Sequence, residues 1–445
     1  MTAEPRTIRT EAEKQIADAY LATVATLPGG ADVRARRDAA MDLFARLGLP
    51  HRRIEEWKYT DLRALMRKAP PPAARPDAAV AKAAVAETAD ALASVSRYRL
   101  VLVDGYFAAD LSDMAALADA GVTVKSAAAV LAGKGDSVDI LDAGMLAGSD
   151  IAVALNVAFA TDGVVVTIAD GAIVAKPIEV SHISTGTGTQ TVRNAFRIGA
   201  GANVKVVETF AGPAGVACQT NVVSLADIGA GATVTWARLQ AEGDNAIHLG
   251  STILTVGKGA EVNHLAVTAG AAVARGQVFL TTGGEHTKVG LNGAVMLSGR
   301  QHADATLLID HALPGARTRV LYKSAVDDRS QGVFQGKIIV EPDAQKTDAK
   351  MMSQALLLSE EAEFDGKPEL EIFADDVQCG HGATFGQIDE TQLFYLMARG
   401  VPKHEAEQLL IAAFLDDAID ALGDDALGDA LKATVSAWLG KRGAR

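Results

Sequence analysis

Cys379 and His381, separated only by Gly380, have the types and spacing to share a soft metal. In an extended segment, side chains two apart point to the same side, so a thiolate and an imidazole would converge there. That donor pair suits iron, zinc or an iron–sulfur cluster. Two ligands do not close a site, so a second protein would have to complete it. The alternative is a buried cysteine and a hydrogen-bonded histidine at a domain junction. Asp375 and Asp376, just upstream, would act as supporting carboxylates or simply form a solvated turn.

Other candidates are weaker. Cys218 ends a Gly/Pro/Ala turn and reads as a small buried hydrophobe. His248, His264, His286, His302 and His311 are spread along a repetitive stretch, where stacking of successive units could line them up. His404, flanked by Lys403 and Glu405, reads as part of a solvated helix face. The chain has no phosphate-binding Gly-rich Lys-Ser/Thr loop and no dinucleotide fingerprint, nor a serine elbow or a four-cysteine cluster. ATP hydrolysis by a phosphate-loop route is therefore not expected from this chain.

Three zones must position these residues. In residues 1–97, apolar side chains recur at three-to-four spacing over 11–27 and 31–47, which predicts helices broken by Pro28-Gly29-Gly30. A Pro/Ala linker over 70–76 precedes an Ala-rich helix over 78–93. In residues 98–382 the pattern changes to short β-branched runs bounded by glycine, such as Val164 to Ile168 and Val204 to Phe210. Residues 110–147 interrupt them with Ala-rich helical pieces. In residues 383–445, Asp389 is a candidate N-cap for a helix over 390–399 ended by Gly400. Two more helices are expected over 403–422 and 426–439.

The middle zone repeats. Ile168-Ala-Asp-Gly171-Ala is echoed around Gly201, Gly231 and Gly259, at intervals of 30, 30 and 28 residues. Fainter echoes fall at Gly284, Gly315-Ala316 and Asp343-Ala344. Each unit reads as strand, tight turn, strand. One unit cannot bury its own apolar face, so units must stack. The spacing leaves no room for crossover helices and predicts a mainly β fold: a parallel β-helix core flanked by helical regions. An antiparallel sandwich would use the same strands but would not explain the regular spacing.

Composition narrows the function classes. A formal charge of −13 argues against binding nucleic acid or an anionic membrane surface. No run of ~18 uncharged apolar residues occurs, so no membrane-spanning helix is expected. Residues 1–9 have no apolar core, so no secretory leader is expected. With only two cysteines a disulfide framework is excluded, which predicts a reducing, cytoplasmic setting.

The chain resembles the SufB/SufD family over nearly its whole length. The resemblance rests on FQGKIIVEPDAQKTDA from Phe334, PELEIFADDVQCGHGAT from Pro368, LFYLMARG from Leu393, and EEWKYT from Glu55. Two details favour the SufD branch. Gly382 follows the histidine where SufB typically has Glu, and Met352-Ser353-Gln354 stands where SufB carries a cysteine.

The resemblance implies a flattened right-handed parallel β-helix between helical regions. It also implies a non-catalytic scaffold subunit in a cytoplasmic complex with a SufB-like paralogue and a SufC-like ATPase, or a homodimer when isolated. Cys379 and His381 would then be ligands to a transient iron–sulfur cluster or iron shared with SufB, with a reduced flavin entertained only for the whole complex. The ATPase would dock on the C-terminal tail through Leu409, Leu410, Ala413 and Phe414. Two rival readings are a carbohydrate-active β-helix and a purely structural solenoid. Carbohydrate-active β-helices are usually secreted and line their grooves with aromatics, and only 5 % of this chain is aromatic.

Overall fold

The β-branched runs of the middle zone form two parallel walls. A computed structural model describes residues 9–133, 139–142 and 144–443, so residues 1–8 of the leader expectation lie outside it. One wall stacks Thr189–Ile198, Gln219–Ile228, Ile247–Val256, Val273–Thr282, His302–His311, Gln331–Val340 and Glu363–Ile372. The other stacks Asn203–Ala211, Thr233–Ala241, Glu261–Thr268, Lys288–Leu297, Arg317–Val326, Asp348–Leu357 and Gln378–Gly386. Each strand pairs with the strand two along in sequence, and all of these pairings are parallel. The chain therefore winds as a two-walled solenoid of about eight turns, and the sandwich alternative falls. The last strand continues past residue 382, to Gly386.

Alternation sorts the side chains. Val204, Val206 and Phe210 point into the lumen with Val234, Trp236, Leu291 and Tyr322. The residues between them, such as Val207, Leu239 and Leu265, point outward and are covered by helices.

The turn between the walls explains the repeated glycines. Gly171, Gly201, Gly231 and Gly259 have φ of 67°, 67°, 67° and 65°, a left-handed conformation that glycine adopts without steric penalty. Their N–H groups donate to Ala200, Ala230, Lys258 and Glu285 O, all at 2.8 Å, in the next coil. The column continues through His286 (φ 58°), Gly315 (76°) and Lys346 (64°). The echo at Gly315 was in register, whereas those at Gly284 and Asp343-Ala344 were offset. At His286 and Lys346 the hydrogen bonds to Pro314 O (3.0 Å) and Asp376 O (2.7 Å) hold a positive φ without glycine.

Helices cover both walls. Glu11–Thr23 and Ala31–Leu47 pack with the helix Ile151–Phe159 and with Leu249 on one wall. Buried Arg37 donates to the Ala158 and Ala160 carbonyls at 3.0 and 2.9 Å, closing the end of that helix. The helices Lys403–Asp420 and Asp425–Gly443 lie on the other wall through Ile411, Leu415, Leu431 and Val435.

The EEWKYT segment straps the N-terminal region down. Trp57 lies over the Arg275 guanidinium at 3.8 Å, and Arg275 Nη2 donates to Glu56 O at 2.7 Å. Thr60 reaches His302 Nε2 at 2.8 Å and donates to Asp304, which also pairs with Arg275. Among the described residues no helix is long and apolar enough to cross a membrane.

Burial of His311 at the lumen end of its strand lowers its pKa to about 4, and neither ring nitrogen has a partner. Between about pH 4 and 6.5 it stays neutral in the folded chain while the unfolded chain binds a proton. Its contribution to stability is therefore full above pH 6.5 and is lost as pH falls toward 4. His311→Leu should flatten the loss of stability across that window, followed by urea midpoints at pH 7.5, 6 and 5. An unchanged slope would show that the ring is hydrated and titrates normally.

Candidate functional site

The N-terminal end of the solenoid is closed. Tyr106–Phe107 and Val122–Ser126 run antiparallel to the first strands and end both ladders. Among the described residues the C-terminal end has no such cap. Glu363–Ile372 and Gln378–Gly386 are the outermost strands of their sheets, and each pairs on one side only. Two edges of 10 and 9 residues are thus left with unpaired N–H and C=O groups, which natural proteins usually cover.

Cys379 and His381 sit on this open coil. Cys379 pairs with Ala349 and His381 with Met351, both core residues of the coil beneath, so the two side chains share the lumen face. Cys379 is half-buried against the core, and His381 is exposed. Burial pushes the Cys379 thiol above its ordinary pKa; a hydrogen bond from Ala349 opposes this, and the Asp348 carboxylate reinforces it. The thiol is therefore protonated at neutral pH. Among the described residues no group of three or more His, Cys, Asp or Glu side chains could hold a metal ion. The pair offers two donors facing outward from the end of the lumen, with room for ligands from elsewhere.

Open apolar side chains lie on the same coil. Phe385, six residues on from Cys379 along the same face of the same strand, is 69 % exposed, and Ile372, at the end of the facing strand, and Phe373 after it are also exposed. Phe385 could have been placed by its even spacing from Cys379, but the absence of a further coil over it is a property of the tertiary structure.

The remaining candidates disperse. Asp375 and Asp376 are exposed, and Asp376 pairs with Lys346 and accepts from its backbone, so the solvated-turn reading holds. The five histidines do not form a track. His248 and His264 face the lumen from opposite walls of one coil, His311 faces it two coils on, His302 faces Thr60 outside it, and His286 occupies the turn column. Cys218 is buried beside Ser184, and burial raises its pKa. His404 is exposed on its helix.

The expected docking face on the tail is divided. Leu409 and Ala413 are exposed, one turn apart. Leu410 is half-buried, and Phe414 turns onto the β-helix with Lys323 Nζ 4.6 Å from its ring. The sequence reading missed Phe394, Tyr395 and Met397 on the helix Glu390–Ala398, which buries no residue and adds three open apolar side chains.

The two cysteines should differ in reactivity. A thiol reagent applied to the folded protein should modify Cys379 and spare Cys218 until denaturant is added, as read by mass spectrometry of the labelled peptides. Labelling of Cys218 first would contradict this geometry.

The chain is similar to known proteins along most of its length. Residues 11–180 match the family model described as the SufBD protein N-terminal region, and residues 182–414 match the SUF system FeS cluster assembly SufBD core domain. An iron–sulfur cluster assembly SufBD family protein of Synechocystis sp. is 31 % identical, covering 90 % of each chain. The iron–sulfur cluster assembly protein SufD of Escherichia coli is 30 % identical over 89 % of this chain and 90 % of its own. SufD of Bacillus subtilis is 39 % identical over 28 % of each.

Proposed function

Because the chain belongs to the SufBD family of the SUF iron–sulfur cluster assembly system, we propose that it serves there as a SufD-like, non-catalytic scaffold subunit in the cytoplasm. A SufB-like paralogue docks on the open coil, and a SufC-like ATPase docks on the helical tail. Cys379 and His381 lend two ligands to the nascent cluster or its iron, which is cargo and is passed on.

One observation carries this reading: the uncapped last coil. Two unpaired strand edges and exposed aromatics call for a partner that continues the ladder, and a paralogue built of the same coils has the matching strand spacing. The thiol and the imidazole lie on the face that such a partner would close over. A labile product is also easier to release from ligands divided between two chains than from one complete set.

Cys379→Ala and His381→Ala, each in the assembled complex, test the site. The complex should form normally, while iron and sulfide content and cluster absorbance after anaerobic reconstitution should fall sharply. Normal clusters at normal rates in both variants would make the subunit a platform without ligands of its own.

The tail needs a gentler test than deletion, because its helices cover apolar side chains of the β-helix wall. Leu409→Asp and Phe394→Asp alter only exposed positions. Burying one such side chain at an interface stabilises it by about 1.5–3 kcal/mol, so each change should weaken ATPase binding by about ten- to a hundredfold. Retained affinity in both variants, measured by calorimetry, would move the docking site elsewhere.

A further inference from the structure

A cluster of buried polar groups interrupts the apolar lining of the lumen. Glu208, fully buried, accepts from Ser224 Oγ at 2.5 Å, Trp236 Nε1 at 3.1 Å and Asn194 Nδ2 at 3.2 Å. Three neutral donors thus hold its charge before any cation is counted. Arg238, from the next coil, comes nearest to it through Nε, at 3.4 Å. Its Nη1 donates to Thr252 Oγ1 at 2.8 Å, and its plane lies 5.0 Å from the Phe210 ring centre.

What remains of Arg238 is unused. Nη2 is buried and has no partner, and the two ring nitrogens of His264, one coil further on, are also buried without partners. A buried guanidinium N–H and a whole imidazole left unpaired would each be costly, and such groups in native proteins are nearly always satisfied by an ordered water or an ion.

There is space for one. A cavity of about 40 Å³ lies against Arg238, His248, Thr252, His264 and Gly276, enough for a water-sized guest. A methyl built on Gly250 would lie 2.9 Å from Arg238 Nη2 and 2.7 Å from His248 Nε2, so these two nitrogens converge above that glycine. A methyl built on Gly276, in the adjacent strand, would meet no atom within 4 Å. The small residues Ala266, Ala274 and Ala305 leave this part of the lumen unfilled.

We propose that this chamber is a binding site for one small hydrogen-bond acceptor, a water molecule or a halide-sized monovalent anion, held by Arg238 Nη2 in a chamber lined by His248 and His264. Three neutral donors already hold Glu208, and Arg238 Nη2 makes no hydrogen bond to it, so that edge of the guanidinium is free for the guest. The guest completes the polar layer and lets the Glu208–Arg238 pair persist inside an otherwise apolar helix. The site is independent of the open coil and of the proposed partners.

Crystals of the full chain, grown with and without sodium bromide, test this. A single peak about 3 Å from Arg238 Nη2 is expected. An anomalous signal there in bromide identifies an anion, and an oxygen-sized peak without one identifies water; either supports the proposal. A chamber without density overturns it. Gly276→Ala supplies a second readout. In an empty chamber the added methyl fills a void and raises the melting temperature or leaves it unchanged. In an occupied chamber it competes with the guest, strands Arg238, and lowers the melting temperature by several degrees. A variant that melts at or above the parent therefore also overturns the proposal.

Discussion

In this protein the strands of each coil are hydrogen-bonded by the strands of neighbouring coils and not by each other. The ladder hydrogen bonds run between strands about 30 residues apart, and the turn N–H groups likewise donate to the coil that follows. Buried backbone groups must be paired, so this constraint fixes the stacking register and makes every coil depend on the next. It also means that the stack must end somewhere with its demands unmet. The first coils end in short antiparallel strands, and among the described residues no strand pairs with the outer edge of the last coil. The position of the candidate site follows from that asymmetry.

The helices serve the walls in different ways. On one wall the C-terminal helices supply an apolar cover, and Leu415 and Leu431 are fully buried there. On the other the cover is partly polar and more specific: the Arg275–Asp304 pair sits beneath Trp57 and Thr60. Removing one partner of a buried pair leaves an uncompensated charge and costs about 3–5 kcal/mol, whereas a surface pair contributes far less. The strap is thus a point of registration between the N-terminal region and the coils, while exposed ladders such as Lys258–Glu285 add little.

Polar groups inside the lumen set a second constraint. Burial drives His182 and His264 down to pKa values of about 4 and 3, so they are neutral at physiological pH. The charged groups among them are held by dense hydrogen bonding, as at Glu208, or by a close partner, as where His248 Nδ1 lies 2.9 Å from Glu242. A lumen made only of Val, Leu and Ile would be simpler to stabilise. Each charged group kept in the lumen therefore needs such partners, at some energetic cost.

The sequence by itself determined the parts of this protein that depend on local periodicity. The glycine spacing marked the turns, the β-branched runs marked the strands, and Asp389, Gly400 and Pro402 bracketed the tail helices. The two-residue spacing of Cys379 and His381 placed them on one face of whatever strand they occupied. Only the tertiary structure decided which face that was, because lumen and exterior are distinguished by contacts between coils. It let His286 and Lys346 take turn positions that local preference reserves for glycine, since hydrogen bonds from the next coil hold them there. It also turned Phe414 onto the β-helix while leaving Phe394 and Leu409 open, because those exposures depend on a wall some 90 residues away in sequence, whose Lys323 meets the Phe414 ring. Local pattern is set by neighbours in the chain, whereas burial is set by neighbours in space, and in a solenoid those lie a full coil or more apart.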